Sequence, residues 1–248
     1  MMLECSNVSK KFVGLVAVNN VSFQLKENEI LGLVGPNGSG KTTLINLISG
    51  FLPLTSGKIT FLSKSLNGLR QDQIAKIGIR RTFQIPRPFS SMSVKENVLA
   101  GLIFANPKYY VGTKETSEWI NYILDFTGLY EKRNILAKRL ITPDRKRLEI
   151  ARALVSKPRI LLLDEAMAGL NPKETEEAIR LVMRIREKEG ITMIVVEHVM
   201  RVIVSLSDRI IVLHHGEKIF DGLPKEIAKN QAVVDAYLGK RYQSRATV

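Results

Sequence analysis

The chain is poor in the features that mark several broad protein classes. Its 248 residues contain one cysteine, Cys5, so no internal disulfide can staple it and a reducing compartment is expected. On an apolar first strand, that cysteine reads as a small buried side chain. No apolar run approaches the roughly 20 residues of a membrane span. The longest uncharged stretch, 42–57, is broken by Gly50 and Pro53 and carries Thr, Ser and Asn. The start, Met-Met-Leu-Glu-Cys-Ser-Asn, lacks the basic and apolar regions of a signal peptide. No segment is low in complexity or repeats with a period of roughly 20–50 residues. Acidic side chains are scarce: 24 Asp and Glu face 37 Lys and Arg, a formal +13 with the histidines neutral. That surplus suits an anionic partner (nucleic acid, a nucleotide, the cytoplasmic leaflet of a membrane) or a plain solubilising surface. What is present, 45% apolar and 25% charged residues, is a globular composition that excludes disordered and collagen-like chains.

Short β-type runs fill 3–25, among them the alternation Val21, Phe23, Leu25, and end in the turn Lys26-Glu27-Asn28-Glu29, which predicts a small antiparallel sheet. The continuous apolar run Ile30–Val34 enters a glycine-rich loop, and Leu44, Leu47 and Ile48 then show helical spacing. Runs at 160–163, 191–196 and 210–213 are rich in Ile, Leu and Val, as buried parallel strands are. A helix over 173–189 is framed by Asn171 as N-cap, Pro172 at its first position, Glu174 completing a capping box, and Gly190 as stop. Alternating strands and helices imply right-handed crossovers and a parallel sheet. From about 88 to 140 the pattern changes to helices, at 94–102 and 116–126, with no buried-strand run. This region reads as a helical insertion whose small core Trp119 fills. Residues 224–238 read as two short amphipathic helices, with Gly239 as stop and a polar, basic end.

Two motifs carry chemistry. Gly35-Pro36-Asn37-Gly38-Ser39-Gly40-Lys41-Thr42 matches G-x-x-x-x-G-K-[ST] after a strand and at the opening of a helix. There, backbone N–H groups and the helix dipole converge on phosphates, Lys41 supplies a solvent-facing cation, and the Thr42 hydroxyl can ligate Mg²⁺. Far downstream, Ile160-Leu161-Leu162-Leu163-Asp164-Glu165 delivers two carboxylates at a strand end: Asp164 for the metal's outer shell, Glu165 to polarise a water for in-line attack on a γ-phosphate.

With these motifs the chain resembles the ATP-binding subunits of ABC transporters over essentially its whole length. The resemblance implies an α/β P-loop NTPase: a RecA-like core with a mostly parallel sheet, an N-terminal antiparallel β subdomain and an inserted α-helical subdomain. It implies one ABC ATPase domain over 1–248, with 1–87 and 145–248 forming the core and 88–144 the helical subdomain. Arg81-Thr82-Phe83-Gln84 looks like the Q-loop, where Gln84 would touch Mg²⁺ and the attacking water. Val196-Glu197-His198 looks like the H-loop, with His198 reaching the γ-phosphate, and Phe12 takes the place of the aromatic that stacks on adenine. Thr43 joins Gly35–Thr42 in the expected nucleotide contacts, and Thr42, Gln84 and Asp164 are the expected metal contacts. The expected cofactors are ATP and Mg²⁺. Phe12–Val21, Arg81–Arg87, the D-loop-like Met167-Ala168-Gly169-Leu170-Asn171-Pro172, Glu197–Met200 and Ala236-Tyr237-Leu238-Gly239 are similar to the larger ATPase subunit of branched-chain amino acid importers.

That resemblance implies permease subunits, a second ATPase chain in a head-to-tail heterodimer, and an extracytoplasmic substrate-binding protein. It places the chain at the cytoplasmic face of the membrane and leaves nucleic acid out. The readings it competes with are a soluble ABC-type ATPase acting on nucleic acid or ribosomes, and a regulatory subunit that binds ATP without hydrolysing it.

One element departs from the family. The signature, normally L-S-G-G-Q, aligns with Leu140-Ile141-Thr142-Pro143-Asp144. Ile141 replaces the serine, Pro143 has no N–H to offer, and Asp144 is expected to put a carboxylate where a phosphate would dock. As a helix start the segment is sound, with Thr142 expected as N-cap.

Overall fold

A computed structural model describes residues 1–105 and 113–238. In chain order, β1 (Leu3–Phe12), β2 (Leu15–Leu25) and β3 (Ile30–Val34) lead to α1 (Lys41–Ile48). Then come β4 (Ser56–Phe61), β5 (Lys64–Ser65), α2 (Gln71–Lys76), β6 (Ile79–Arg81), α3 (Val94–Ala105), α4 (Lys114–Phe126) and α5 (Thr142–Leu154). The chain continues with β7 (Ile160–Asp164), α6 (Pro172–Glu189), β8 (Thr192–Val196), α7 (Met200–Leu206), β9 (Arg209–His214), β10 (Glu217–Gly222) and α8 (Gln231–Leu238). The first of the two expected tail helices is a 3₁₀ helix, Pro224–Lys229, and the second is α8. The Gly239 stop and the basic end lie outside the described residues.

Contacts divide the chain into two units, 1–71 with 192–248, and 72–191. In the first, β1 and β2 pair antiparallel as expected over 3–25, and β4 and β5, which the sequence reading did not include, extend the sheet to the order β2-β1-β4-β5. β3 runs parallel to both β8 and β9, and β10 closes antiparallel on β9. All five residues of β3 are buried, which explains why its sequence is continuously apolar rather than alternating. A side chain at Gly32 would sit 2.5 Å from Ser207 Oγ and 2.8 Å from Ile203 Cγ2, so only glycine lets α7 pack this closely on β3. The Arg209 guanidinium, bonded to Glu29 at 2.8 Å and Asp221 at 2.5 Å, ties the far end of β9. Cys5 is buried, and burial pushes its thiol well above the usual range, as an inert core residue requires.

In the second unit, β6 and β7 pair in parallel with Arg81 opposite Leu162, and α3 and α4 pack against α5. Asn171 and Glu174 form the capping box of α6 and Gly190 ends it in the left-handed region, both as its sequence demands. Asn97, fully buried, accepts the Phe89 N–H at 2.8 Å and donates to the carbonyls of Phe89 and Ser93, so α3 holds the loop that precedes it. Trp119 differs from expectation. It is only half-buried, its indole N–H donates to Val155 O at 2.8 Å, and it stacks on Tyr122. Its polar N–H needs an acceptor, and the carbonyl at the end of α5 supplies one, so it docks α4 on that end instead of filling a core of the insertion.

Candidate nucleotide-binding site

The glycine loop follows β3 in the first unit. Gly35 has φ 152°, and a Cβ there would fall 2.1 Å from Leu213 O and 2.5 Å from Ser39 Oγ. Only a residue without a side chain fits. Gly38, by contrast, faces open space. Gly40 caps α1 without any side-chain acceptor for the first-turn N–H groups, and the buried Ser39 hydroxyl has no hydrogen-bond partner among the described residues. An uncapped helix start and an orphaned buried hydroxyl are what a polyphosphate satisfies. Thr42 is exposed in the first turn and Thr43 half-exposed beside it.

Lys41 is not the solvent-facing cation expected from sequence. It is 6% exposed, and its ammonium donates to the carbonyls of Gly35 at 2.7 Å and Pro36 at 2.9 Å. The loop that carries it curls back over it, with the Gly35 and Pro36 carbonyls turned inward onto the ammonium. Phe12 ends β1, 43% exposed as a residue, with the Lys10 ammonium 5.2 Å from the centre of its ring. His198 lies exposed in the turn after β8.

The second unit holds the acidic residues. Asp164, the last residue of β7, pairs at 2.6 Å with Arg81, with only 3% and 9% of the two side chains exposed. Glu165 follows at φ 51°, in the left-handed region, a conformation that costs a non-glycine residue about 1–3 kcal/mol and recurs at functional sites. Two bonds hold it there: Gln84 Nε2 donates to its carboxylate at 2.5 Å, and Lys146 Nζ donates to its carbonyl at 3.0 Å. The Phe83 N–H donates to Glu149 at 2.8 Å. Burial pushes the Glu149 carboxyl above its ordinary range, and that N–H pulls it partly back. Gln84 is thus brought to Glu165 by a loop anchored on both sides.

The signature segment overturns two expectations. The Arg145 N–H donates to Ile141 O at 3.0 Å, so Ile141 is the N-cap of α5 and Thr142 already lies inside the helix, with no side-chain cap. Asp144 does not project a carboxylate. It is 4% exposed and bonded to Lys132 at 2.5 Å, because a first-turn side chain points back towards the preceding segment, where the 3₁₀ turn Tyr130–Lys132 presents a cation. Ile141, 63% exposed, and Thr142 are what the segment shows outward.

A family model described as ABC transporter matches residues 18–168, more than half of the chain. The chain belongs to the ABC transporter ATP-binding family. A second model, branched-chain amino acid ATP-binding cassette transporter, matches 217–243. The high-affinity branched-chain amino acid transport ATP-binding protein LivG of Salmonella typhimurium is 42% identical, over 96% of this chain and 98% of its own length. Among solved structures, the ADP conformation of the cassette MJ1267 is similar at a TM-score of 0.86 and 31% identity, covering 96% of this chain and 99% of that one. The dimeric post-hydrolysis structure of the cassette MJ0796, bound to ADP and Pi, matches at 0.81 and 30%, covering 90% and 99%. This ABC ATPase is therefore a P-loop NTPase that binds and hydrolyses ATP to power transport.

Arg81, Lys132, Lys146 and Glu149 escaped the sequence reading. Only Arg81 left a signal, as the first residue of the Q-loop-like Arg81-Thr82-Phe83-Gln84, though nothing in the motif pointed to its pairing with Asp164. Removing one member of a buried ion pair costs about 3–5 kcal/mol. Arg81→Met is accordingly expected to lower unfolding stability by about 3 kcal/mol in a urea titration, and Asp164→Asn in the same chain to recover part of the loss. Equal stability of Arg81→Met and the parent would show that Asp164 does not depend on this cation.

Proposed function

We propose that this chain is the ATPase of an importer of branched-chain amino acids, with Phe12 stacking on adenine and the loop Gly35–Thr43 enclosing the phosphates. Lys41 exchanges its loop carbonyls for phosphate oxygens, and His198 donates to the γ-phosphate. Glu165 takes the proton of the attacking water as that oxygen bonds to the γ-phosphorus and the β–γ bridge breaks, with Gln84 holding the water in line. Among the described residues no three His, Cys, Asp or Glu side chains cluster to hold a metal. That fits Mg²⁺, which is carried mainly by substrate phosphates and water; Thr42, Gln84 and Asp164 would complete its shell, and it would neutralise phosphate charge.

The observation that carries this reading is Glu165, held left-handed with its carboxylate on Gln84. The substrate class rests on the LivG resemblance and on the match at 217–243. No helix among the described residues is long and apolar enough to cross a membrane, which suits a subunit that reaches the cytoplasmic face through permeases. The exposed Phe83, Ile85 and Phe89, stiffened by Pro86 and Pro88, offer those permeases a seat. A second ATPase chain and an extracytoplasmic binding protein complete the assembly.

Lys41→Ala tests the reading. Charge-assisted hydrogen bonds contribute roughly 1.5–3 kcal/mol each, so ATP affinity is expected to fall at least about tenfold. The variant reassembled with its permeases is expected to lose uptake of radiolabelled leucine. ATP bound as tightly as by the parent would remove the phosphate role of the loop. A parent transporter that is active on other solutes but not on leucine would remove the substrate class.

A further inference from the structure

The proposed reaction gives no task to the middle turns of α5. Three of their side chains, Lys146, Glu149 and Arg152, are spaced three residues apart and so fall on successive turns along one side of the helix. Each bonds to main chain in the segments that carry Gln84 and Glu165. The Thr82 N–H still donates to Leu162 O at 2.9 Å, beside the β6–β7 ladder. The next amide, that of Phe83, turns instead to Glu149 Oε1 at 2.8 Å. Gln84 comes directly after this anchored amide, and its Nε2 reaches the Glu165 carboxylate at 2.5 Å. Beyond it, Pro86 and Pro88 have no N–H to offer, and Arg87 ties the segment through its carbonyl, which accepts from Arg152 Nη1 at 3.1 Å. The Arg152 guanidinium also lies 5.0 Å from the centre of the Phe89 ring. Residues 83–89 are therefore held at start and end by side chains one turn apart on α5. One turn earlier, Lys146 holds the Glu165 carbonyl at 3.0 Å.

We propose that Glu149 is a positioning residue for ATP hydrolysis, fixing the Phe83 amide so that the side chain of Gln84 meets Glu165. A Phe83 peptide without this acceptor can rotate, and rotation next to Gln84 carries its amide group away from the carboxylate. A displacement of about 1 Å in a catalytic constellation costs on the order of 10² in rate. Glu149 is itself well fixed: it is 8% exposed, and the positive charges of Arg152, Lys146 and Arg81 partly offset the burial of its carboxylate.

The inference rests on the roles proposed for Gln84 and Glu165, and the experiment separates the two. Steady-state ATP hydrolysis is measured in the transporter assembled with its permeases, carrying the parent chain, Glu149→Met, Glu149→Gln, Gln84→Ala, or Gln84→Ala combined with Glu149→Met. Both substitutions at position 149 remove the charge, but only Glu149→Gln keeps an oxygen to accept the Phe83 N–H. In Glu149→Met, kcat is expected to fall about ten- to a hundredfold with KM for ATP unchanged. Glu149→Gln is expected to stay within about threefold of the parent. With Gln84→Ala already in place, Glu149→Met is expected to add little, because Glu149 acts through Gln84. Should Glu149→Met fail to fold, Glu149→Asp is read in its place: it keeps the charge, withdraws the acceptor by one methylene, and is expected to turn over more slowly than Glu149→Gln. Parental kcat in the variant that loses or withdraws the acceptor would overturn the proposal. So would equal losses in that variant and in Glu149→Gln, or an undiminished loss in the Gln84→Ala background. Gln84→Ala that hydrolyses ATP at the parental rate would instead overturn the reading of Gln84.

Discussion

Glu165→Gln is expected to leave ATP bound and to lower steady-state hydrolysis by roughly 10²–10⁴, the usual contribution of a positioned general base. The amide has the size of the carboxylate, and its oxygen can still accept from Gln84 Nε2, which now lies 2.5 Å from Glu165. The Lys146 bond to the backbone carbonyl of residue 165 is untouched, so the left-handed turn persists. What disappears is the ability to take a proton from water. ATP that binds but is not split should accumulate the closed two-chain state, visible as an ATP-dependent dimer in size-exclusion chromatography. Undiminished turnover in the reconstituted transporter would take the catalytic role away from Glu165.

Weak hydrolysis by this chain alone is the second large effect expected. In a head-to-tail dimer each ATP would use one chain's glycine loop and the other's signature, and here the signature presents Ile141 and Pro143 in place of a hydroxyl and an N–H. Two missing charge-assisted bonds of roughly 1.5–3 kcal/mol each slow the reaction by about 10² or more, at ~1.4 kcal/mol per factor of ten. A partner chain with an intact signature would supply those donors to the ATP held on this chain's glycine loop. Asp144 is not part of the defect, since Lys132 neutralises it, and replacing it would strand that lysine. The informative variant is therefore Ile141→Ser with Pro143→Gly, leaving Asp144 in place. It is expected to raise the turnover of the isolated chain on the order of 10²-fold. Brisk hydrolysis by the unaltered chain, with no gain from the two substitutions, would show that Thr142 or Arg145 already supplies the donors and that the two sites of the dimer need not differ.

The local rules of the chain were legible because each acts over a few residues. The loop Gly35–Thr42 announces itself by glycines at fixed offsets before a helix. The end of β7 is marked by an aliphatic run meeting two acids, and α6 by a capping box that needs only Asn171 and Glu174. The strands β3, β7, β8 and β9 each showed as an Ile, Leu and Val run, because burial on both faces removes the alternation. These features sufficed to identify the family.

Sequence alone determined the elements that carry the motifs, β3, α1, β7, α6 and β8 among them, since backbone propensity, caps and loop glycines are local. Only the tertiary structure decided where the charges go. Arg81 reaches Asp164 because β6 pairs in parallel with β7 at a particular register, and register is a long-range property. Lys132 takes in the Asp144 carboxylate that the sequence had left facing a phosphate. Lys41 folds under its own loop, and Trp119 spends its N–H on the end of α5. Each of these is a polar group choosing a partner. A buried polar group must find one, but which one is decided by the packing that brings distant segments within about 3 Å.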